Sequence, residues 1–425
     1  MSLRRRSAVA LVASALLLSA CGGGDSGDAG GGGVTVDWWH IGTAEPVKSV
    51  YEQWAKDFED QNPGVKVKIT AMENEAFKSK MTALTASGDV PHIFSTWGGG
   101  VLSQQAEAGL VTDLSQTGVA DTLDTFTTAA LSPYEIDGVP YGIPVDVGMV
   151  GFWYNKALFA DAGVNEPPTT WDEFLDTVEK LKDSGTTPLA LAGKEKWPGH
   201  YYWSYLAMRV AGLETLEAAS ESGDFGDPGF VEAGERLRDL AELEPFQNGF
   251  LGADYSTPQG QAAAVGGGKA AMELMGQWAP QVQVDTAGGI GDDLGFFPFP
   301  EVEGGRGSIT EAFGGGNGFA MGAGAPPEAA DFLNFISEVA QHGTFVEEGA
   351  GLPVMEETVD LVPDENMKAV AEALAEATGF QLYLDQAFPP AVGQQVNDSV
   401  AELLAGVATP EQVTEAITRA AQAEG

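Results

Sequence analysis

The chain has one cysteine, Cys21, so no disulfide can form within it, and stability must come from packing or from a bound ligand. Basic residues are scarce, 21 Lys and Arg against 62 Asp and Glu, giving a formal net charge of −41. Nucleic acid and anionic headgroups demand cations facing their phosphates, so neither is expected as a partner. The excess acid reads as a solvated surface. Histidines stand at 40, 92, 200 and 342 without the spacing of a transition-metal site, and no metal or other cofactor is expected. Enzyme signatures are missing as well. Gly266-Gly267-Gly268-Lys269 suggests a phosphate loop, but Ala263 stands where its first glycine belongs and Ala270 where Ser or Thr belongs. Gly314-Gly315-Gly316-Asn317-Gly318-Phe319 lacks the closing glycine of a dinucleotide fingerprint, and no nucleophile elbow occurs. With so many acids, paired carboxylates for glycoside cleavage are the one enzymatic arrangement left open.

No apolar run reaches the ~18 residues that span a bilayer as a helix. A shorter run, Ala8 to Leu18, follows Arg4-Arg5-Arg6 and ends in Leu18-Ser19-Ala20-Cys21. A charged start, a short apolar stretch and small residues at a cleavage point make an export signal over 1–20. A cysteine just after Leu-Ser-Ala resembles the bacterial lipobox, in which the thiol is acylated and becomes the new N-terminus. The alternative is a plain signal peptide with a chance cysteine. Several acyl chains suffice for stable anchoring. Residues 21–33 are then a lipidated cysteine and a glycine-rich tether spanning roughly 20 Å. This places the rest of the chain at the outer face of the bacterial cytoplasmic membrane, attached through the lipid alone.

About 390 residues follow the tether, too many for one ordinary core, so two lobes are expected. Val34 to Trp39 alternates as a strand. Val47, Val50, Tyr51, Trp54 and Phe58 share a helical face, and Asn62-Pro63-Gly64 stops that helix. Val65 to Ile69 is a second strand, Ala76 to Ser87 a helix with Phe77, Met81 and Leu84 inward, and His92 to Ser95 a third strand. Alternating strands and helices predict an α/β fold with a mainly parallel sheet, whose ligands bind beyond the carboxyl ends of the strands. Trp39-His40, Met72-Glu73-Asn74 and Trp97-Gly98-Gly99-Gly100 lie at those ends.

Further on, Tyr141-Gly142-Ile143-Pro144-Val145-Asp146 leads into Gly151-Phe152-Trp153-Tyr154-Asn155-Lys156. Pro167-Pro168-Thr169-Thr170-Trp171-Asp172-Glu173 follows, with Thr170 and Glu173 forming a capping box. Gly268-Lys269-Ala270-Ala271-Met272 then leads to Gly276-Gln277-Trp278, and Tyr383-Leu384-Asp385-Gln386 precedes Pro389-Pro390. In this order the segments resemble family 1 extracellular solute-binding proteins, the sugar-binding lipoproteins of ABC importers, similar in fold to maltose-binding protein. The resemblance covers about residues 34 to 425; His92 departs from it, standing where the family usually has Asp. It implies a type II periplasmic-binding-protein-like fold of two α/β lobes built from separated pieces of chain. The first lobe would hold 34–144 plus 315–360, the second 145–314 plus 361–425. Two late amphipathic segments, Ala391 to Leu404 and Glu411 to Ala421, would pack on the second lobe, and Gly314-Gly315-Gly316 would give a hinge its dihedral freedom.

A sugar offers apolar C–H faces and a rim of hydroxyls, so its site needs flat aromatic surfaces edged with hydrogen-bonding groups. Among the nine tryptophans, Trp38, Trp54, Trp153, Trp171 and Trp203 read as core or structural from their helix and strand positions. Trp39 ends a strand, Trp97 precedes Gly98 and further glycines that admit a ligand to the backbone, Trp197 opens a helix, and Trp278 follows a Gly-Gln turn. These four, with Gly98, are binding candidates; the resemblance favours a stacking aromatic at Trp278. It also makes Asp146 an acceptor of sugar hydroxyls beside the hinge. Glu73, Asp385 and Phe313 complete the candidates, Asp385 having a turn or cap role as its alternative.

The expected protein is a monomeric receptor that closes on a neutral carbohydrate, an oligosaccharide, and delivers it to ABC permease subunits by binding and not by catalysis. A secreted glycoside hydrolase, or a binding protein for a polyamine or peptide, are the alternatives.

Overall fold

The computed structural model describes residues 33–424; the leader, Cys21 and the glycine tract through residue 32 lie outside them. The opening unit runs strand Val34–His40, helix Val47–Gln61, strand Val65–Ala71, helix Asn74–Ser87 and strand Ile93–Thr96. The first helix buries Val50, Tyr51, Trp54, Ala55 and Phe58, the face its sequence period marks. It stops at Asn62, and Gly64, at a φ of 102°, turns the chain into the next strand, a conformation that a side chain would oppose. His92 accepts the Asp37 backbone N–H on its Nδ1 at 3.1 Å, so it serves the packing of this sheet.

The strands collect in two main sheets. In the first the order is Val65–Ala71, Val34–His40, Ile93–Thr96, Gly318–Met321, Gly142–Pro144. In the second it is Leu294–Phe297, Gly151–Asn155, Ala270–Met275, Thr187–Leu189. Both are mixed but mainly parallel, as expected: one strand in each runs against the rest. Gly318–Met321 is antiparallel to both its neighbours, and so is Gly151–Asn155. The reason is topological. Each of these strands enters its sheet just after the chain has crossed from the other half, so it starts at the cleft end, whereas its neighbours run toward the cleft.

The crossings are residues 142–149 and 311–321. A small third sheet, Gly379–Leu382, Glu311–Gly315, Gly148–Met149, binds them together. The two backbones nearly touch. A Cβ on Gly314 would strike the Gly148 carbonyl, and one on Gly316 the carbonyl of Asp146. Neither glycine has a positive φ, so lack of space, more than the dihedral freedom expected from the sequence, requires glycine here.

Helices Pro327–Ile336 and Val339–Glu347 pack on Val47–Gln61 beside the first sheet. The second half is built on helix Trp197–Ala211, which is buried along its whole length. Helices Pro228–Glu242 and Pro390–Leu404 pack on it, and Pro410–Glu424 lies over both. From this helix the buried Arg209 donates to the carbonyls of Phe299 (3.3 Å), Ile309 (3.4 Å) and Glu311 (3.0 Å), with the Glu311 carboxylate 3.6 Å away. A guanidinium can satisfy several carbonyls at once, and the paired carboxylate offsets its burial. The result fixes the chain at the start of the second crossing. Among the described residues no helix is long and apolar enough to cross a membrane.

Candidate functional site

A cavity of about 1090 Å³ lies at the carboxyl ends of strands from both main sheets, floored by Asp146, Gly316 and Asn317 of the crossings. One wall comes from the first sheet and carries Thr43, Glu73, Lys78 and Trp97. The facing wall carries Trp197, Tyr201, Tyr255, Trp278 and Tyr383.

The aromatic wall begins at the end of strand Ala270–Met275, where Gly276-Gln277-Trp278 turns into helix Ala279–Ala287. Gly276 has no Cβ, which is what lets the Trp278 ring fold back over the turn. Trp153 on the adjacent strand is fully buried, and its indole N–H is shared between the carbonyls of Met275 (3.1 Å) and Gly276 (3.0 Å). Glu273, fully buried beneath the wall, accepts from Gln261 Nε2 at 2.8 Å and from Gln283 Nε2 at 2.7 Å. Burial pushes its carboxyl up to about 7 although the two amides favour the charged form. Gln283 belongs to the helix that follows Trp278, so strand, turn and helix are each held from behind.

Over this frame the rings pack edge to face. Trp197 meets Tyr255 at 5.6 Å and Trp278 at 6.4 Å; Tyr383 meets Trp278 at 6.3 Å and stacks on Tyr201 at 5.5 Å and 23°. The arrangement resists collapse and leaves broad faces along the cavity. Four polar atoms of its lining, Trp197 Nε1, Gln277 Oε1 and the hydroxyls of Tyr255 and Tyr383, are buried and find no hydrogen-bond partner among the described residues. Such groups cost roughly 1–3 kcal/mol each when left unmade.

The opposite wall is more polar. Thr43 Oγ1 donates to Glu73 Oε1 at 2.9 Å in an exposed position. The Lys78 ammonium lies 5.3 Å from the Trp97 ring centroid and 3.5 Å from Asp385 Oδ2. Burial alone would raise the Asp385 carboxyl; the Lys78 and His200 charges outweigh it and hold the group below its usual range. At the floor, Asp146 accepts from the Asn317 backbone N–H, from the Asn317 side-chain amide at 3.1 and 3.2 Å on its two oxygens, and from Gln277 Nε2 at 3.4 Å. Burial still raises its pKa to about 6.

Of the sequence candidates, Glu73, Trp97, Asp146, Trp197, Trp278 and Asp385 line this cavity. Trp39, Gly98 and Phe313 do not, and each is corrected for a physical reason. Strand alternation turns Trp39 away from Trp38 and His40 and onto the satellite cluster around Phe77 and Met81, with Lys80 4.8 Å above its ring. At Gly98 the close approach is to the Pro133 backbone, which occupies the place a Cβ would need. Phe313 is fully buried behind the aromatic wall, edge-on to Tyr201 and Tyr383. The candidates omitted Tyr201, Tyr255, Gln277 and Tyr383. Tyr201 was legible, since it stands four residues after Trp197 on one helix and so shares its face. Gln277 adjoins Trp278, and Tyr383 stands two residues before Asp385. Tyr255 sits in a loop that no periodicity marks. Among the described residues no group of three or more His, Cys, Asp or Glu is arranged to hold a metal ion.

The model of the bacterial extracellular solute-binding protein family matches residues 43–342. The chain is 30% identical over 279 residues to the multiple sugar-binding protein of Streptococcus mutans, an alignment covering 63% of this chain and 60% of that protein. Its fold superimposes on a chitin oligosaccharide binding protein with a TM-score of 0.83 at 28% identity, covering 92% of this chain and 98% of the other. A structure from work on xylan utilization by the thermophilic bacterium Caldanaerobius polysaccharolyticus matches with a TM-score of 0.84 at 28% identity, covering 91% and 99%. The α/β, two-lobed type II fold expected from the sequence is the fold of these proteins.

Proposed function

The chain belongs to the bacterial extracellular solute-binding proteins, and from that premise we propose that it captures a neutral oligosaccharide in the cleft and presents it to an ABC permease. The observation that carries this reading is the aromatic wall with its four unpartnered polar atoms. Rings facing the cavity suit the C–H faces of sugar rings. One donor, one acceptor and two hydroxyls that can act as either suit the hydroxyls around them. Two of the lining carboxylates are spoken for: Asp146 is occupied by Asn317 and Gln277, and Asp385 by Lys78. The relatives whose names mention sugars and chitin oligosaccharides support the same ligand class.

In this reading lobes of 34–144 plus 315–360 and 145–314 plus 361–425 close on the ligand about the glycine-lined crossings. The protein acts as a monomer, held at the outer face of the cytoplasmic membrane through acylated Cys21, and releases its ligand unaltered.

A ligand that binds only the native state stabilises it by about 2.7 kcal/mol at a hundredfold excess over Kd. For a protein of this size that raises the melting temperature by a few degrees. A thermal-shift panel is expected to respond to a neutral di- or oligosaccharide, with the sugar recovered intact afterwards. Response to amino acids, peptides or polyamines alone overturns the carbohydrate assignment, and cleavage of the sugar overturns the assignment of simple capture.

A further inference from the structure

The main cavity does not end at Trp197. A second chamber of about 230 Å³ adjoins it, and Glu75, Lys78, Glu195 and Trp197 line both. The chamber's own walls are Ser79 and Thr82, on helix Asn74–Ser87, and Gln394 and Asn397, on helix Pro390–Leu404. It therefore lies between a helix beside the first sheet and one packed on the second half, as the main cavity does, and continues that cavity.

Its lining differs in kind from the aromatic wall. Apart from Trp197, every residue is polar, mixing hydroxyls, amides, carboxylates and one ammonium. Asn397 is 8% exposed; its Nδ2 donates to Asp385 Oδ2 at 3.4 Å, and its Oδ1 has no partner among the described residues. The Trp197 indole N–H, at the junction of the two spaces, is likewise unpartnered. A buried acceptor in the chamber and a buried donor at its junction with the main cavity, both lacking partners, suit a ligand that brings hydroxyls to each. The volume falls below that of a drug-sized pocket and suits a single sugar ring.

We propose that the chamber beside Trp197 is a subsite for one further sugar ring, so that the bound chain runs past Trp197 and leaves the cleft between helices Asn74–Ser87 and Pro390–Leu404. This rests on the carbohydrate reading of the main cavity and adds to it a ligand length and a direction. The ring in the chamber is held by hydrogen bonds to its edges, since only Trp197 offers a face there. Substrates that fill the main cavity alone bind, and those one ring longer bind more tightly.

The test uses the malto-, cello-, xylo- and chito-oligosaccharide series, two to six rings each, titrated calorimetrically into the wild-type protein and into Thr82→Trp and Ser79→Trp. Both positions are exposed on a helix surface, so either indole can enter the chamber without disturbing a core; an unchanged apo melt verifies this. In the series that binds, one added ring is expected to tighten binding at least fivefold in the wild type. Both variants should lose that increment while binding the shorter member within twofold of wild type. Binding that does not depend on length, an increment that survives in the variants, or equal loss for short and long chains overturns the subsite and leaves the carbohydrate reading standing. If no series binds the wild-type protein, the carbohydrate reading falls and the subsite with it.

Discussion

The two walls of the cleft are made differently. The wall of Trp197, Tyr201, Trp278 and Tyr383 is assembled from rings that touch one another, over a turn held by the Trp153 indole and a helix tied to buried Glu273. The facing wall has two rings on separate elements, Trp97 and the buried Tyr51, and groups on a helix surface and a loop, such as Lys78 and Glu73, whose partners are few and partly exposed. A surface that is already ordered loses little entropy when a ligand arrives. Exposed, singly bonded side chains still have freedom to lose. The aromatic wall is thus suited to meet the ligand first, and the polar wall to be drawn onto it by closure.

The largest effect that would sharpen this contrast lies beneath the aromatic wall. Glu273 has a folded-state pKa raised to about 7 from 4.5. The native protein keeps this proton over a range in which the unfolded chain has released it. Its contribution to stability is therefore greatest below about 4.5 and is lost as pH rises through about 7. A shift of that size is worth on the order of 3 kcal/mol. Glu273→Gln removes the titration, and Gln283, whose Oε1 is free, can flip to accept from the new amide. Urea unfolding at pH 5 and pH 8 should give a clearly smaller loss of stability with pH in the variant than in wild type. Equal losses in both would mean that Glu273 does not hold the wall through a shared proton. Asp146 tends the same way, and His40 and His342, lowered by burial to about 4, the opposite way; all three are present in both proteins and cancel.

The next effect compares the walls directly. Trp278→Ala removes a stacking face worth something like 1–3 kcal/mol, by analogy with base stacking. Affinity for the sugar should fall roughly 5- to 150-fold, with the apo melting temperature nearly unmoved. Trp97→Ala, on the wall whose rings are not packed into one surface, should cost at most about 5-fold. Calorimetry on both variants decides; equal losses would erase the distinction between the walls.

The smallest effect is at Glu73. Glu73→Gln keeps an oxygen for the Thr43 hydroxyl, and the position is exposed, so apo stability should stay within about 0.5 kcal/mol. Sugar affinity should change by less than about threefold, a span under 1 kcal/mol. A loss as large as that of Trp278→Ala would reverse the comparison and make the polar wall the primary contact.

How much of this was legible follows from which signals are local. Helix Val47–Gln61 and its buried face, the capping box at Thr170 and Glu173, and the stop at Asn62 to Gly64 repeat in the structure as read, because each depends on residues a few positions apart. Trp278 could be named because a Gly-Gln turn precedes it. Trp39 was misjudged because a strand end has two faces, and only the packing of Phe77 and Met81 says which one is covered. Phe313 was misjudged because the rings that hide it, Tyr201 and Tyr383, lie on other elements.

The sequence by itself determined the α/β alternation, the acidic surface, the absence of internal disulfides and most of the aromatic candidates, since periodicity and composition act over short range. Tertiary structure alone decided that one strand in each main sheet runs against its neighbours, that Asp146 is occupied by Asn317 and Gln277, and that Glu273 is a buried acid between two glutamines. It also alone brought Trp197, from a helix start, beside Trp278, from a strand end. Those facts depend on which distant segments meet when the chain crosses at residues 142–149 and 311–321. Local spacing carries no record of such meetings, because burial and hydrogen-bond partners are fixed by the packing of the whole chain.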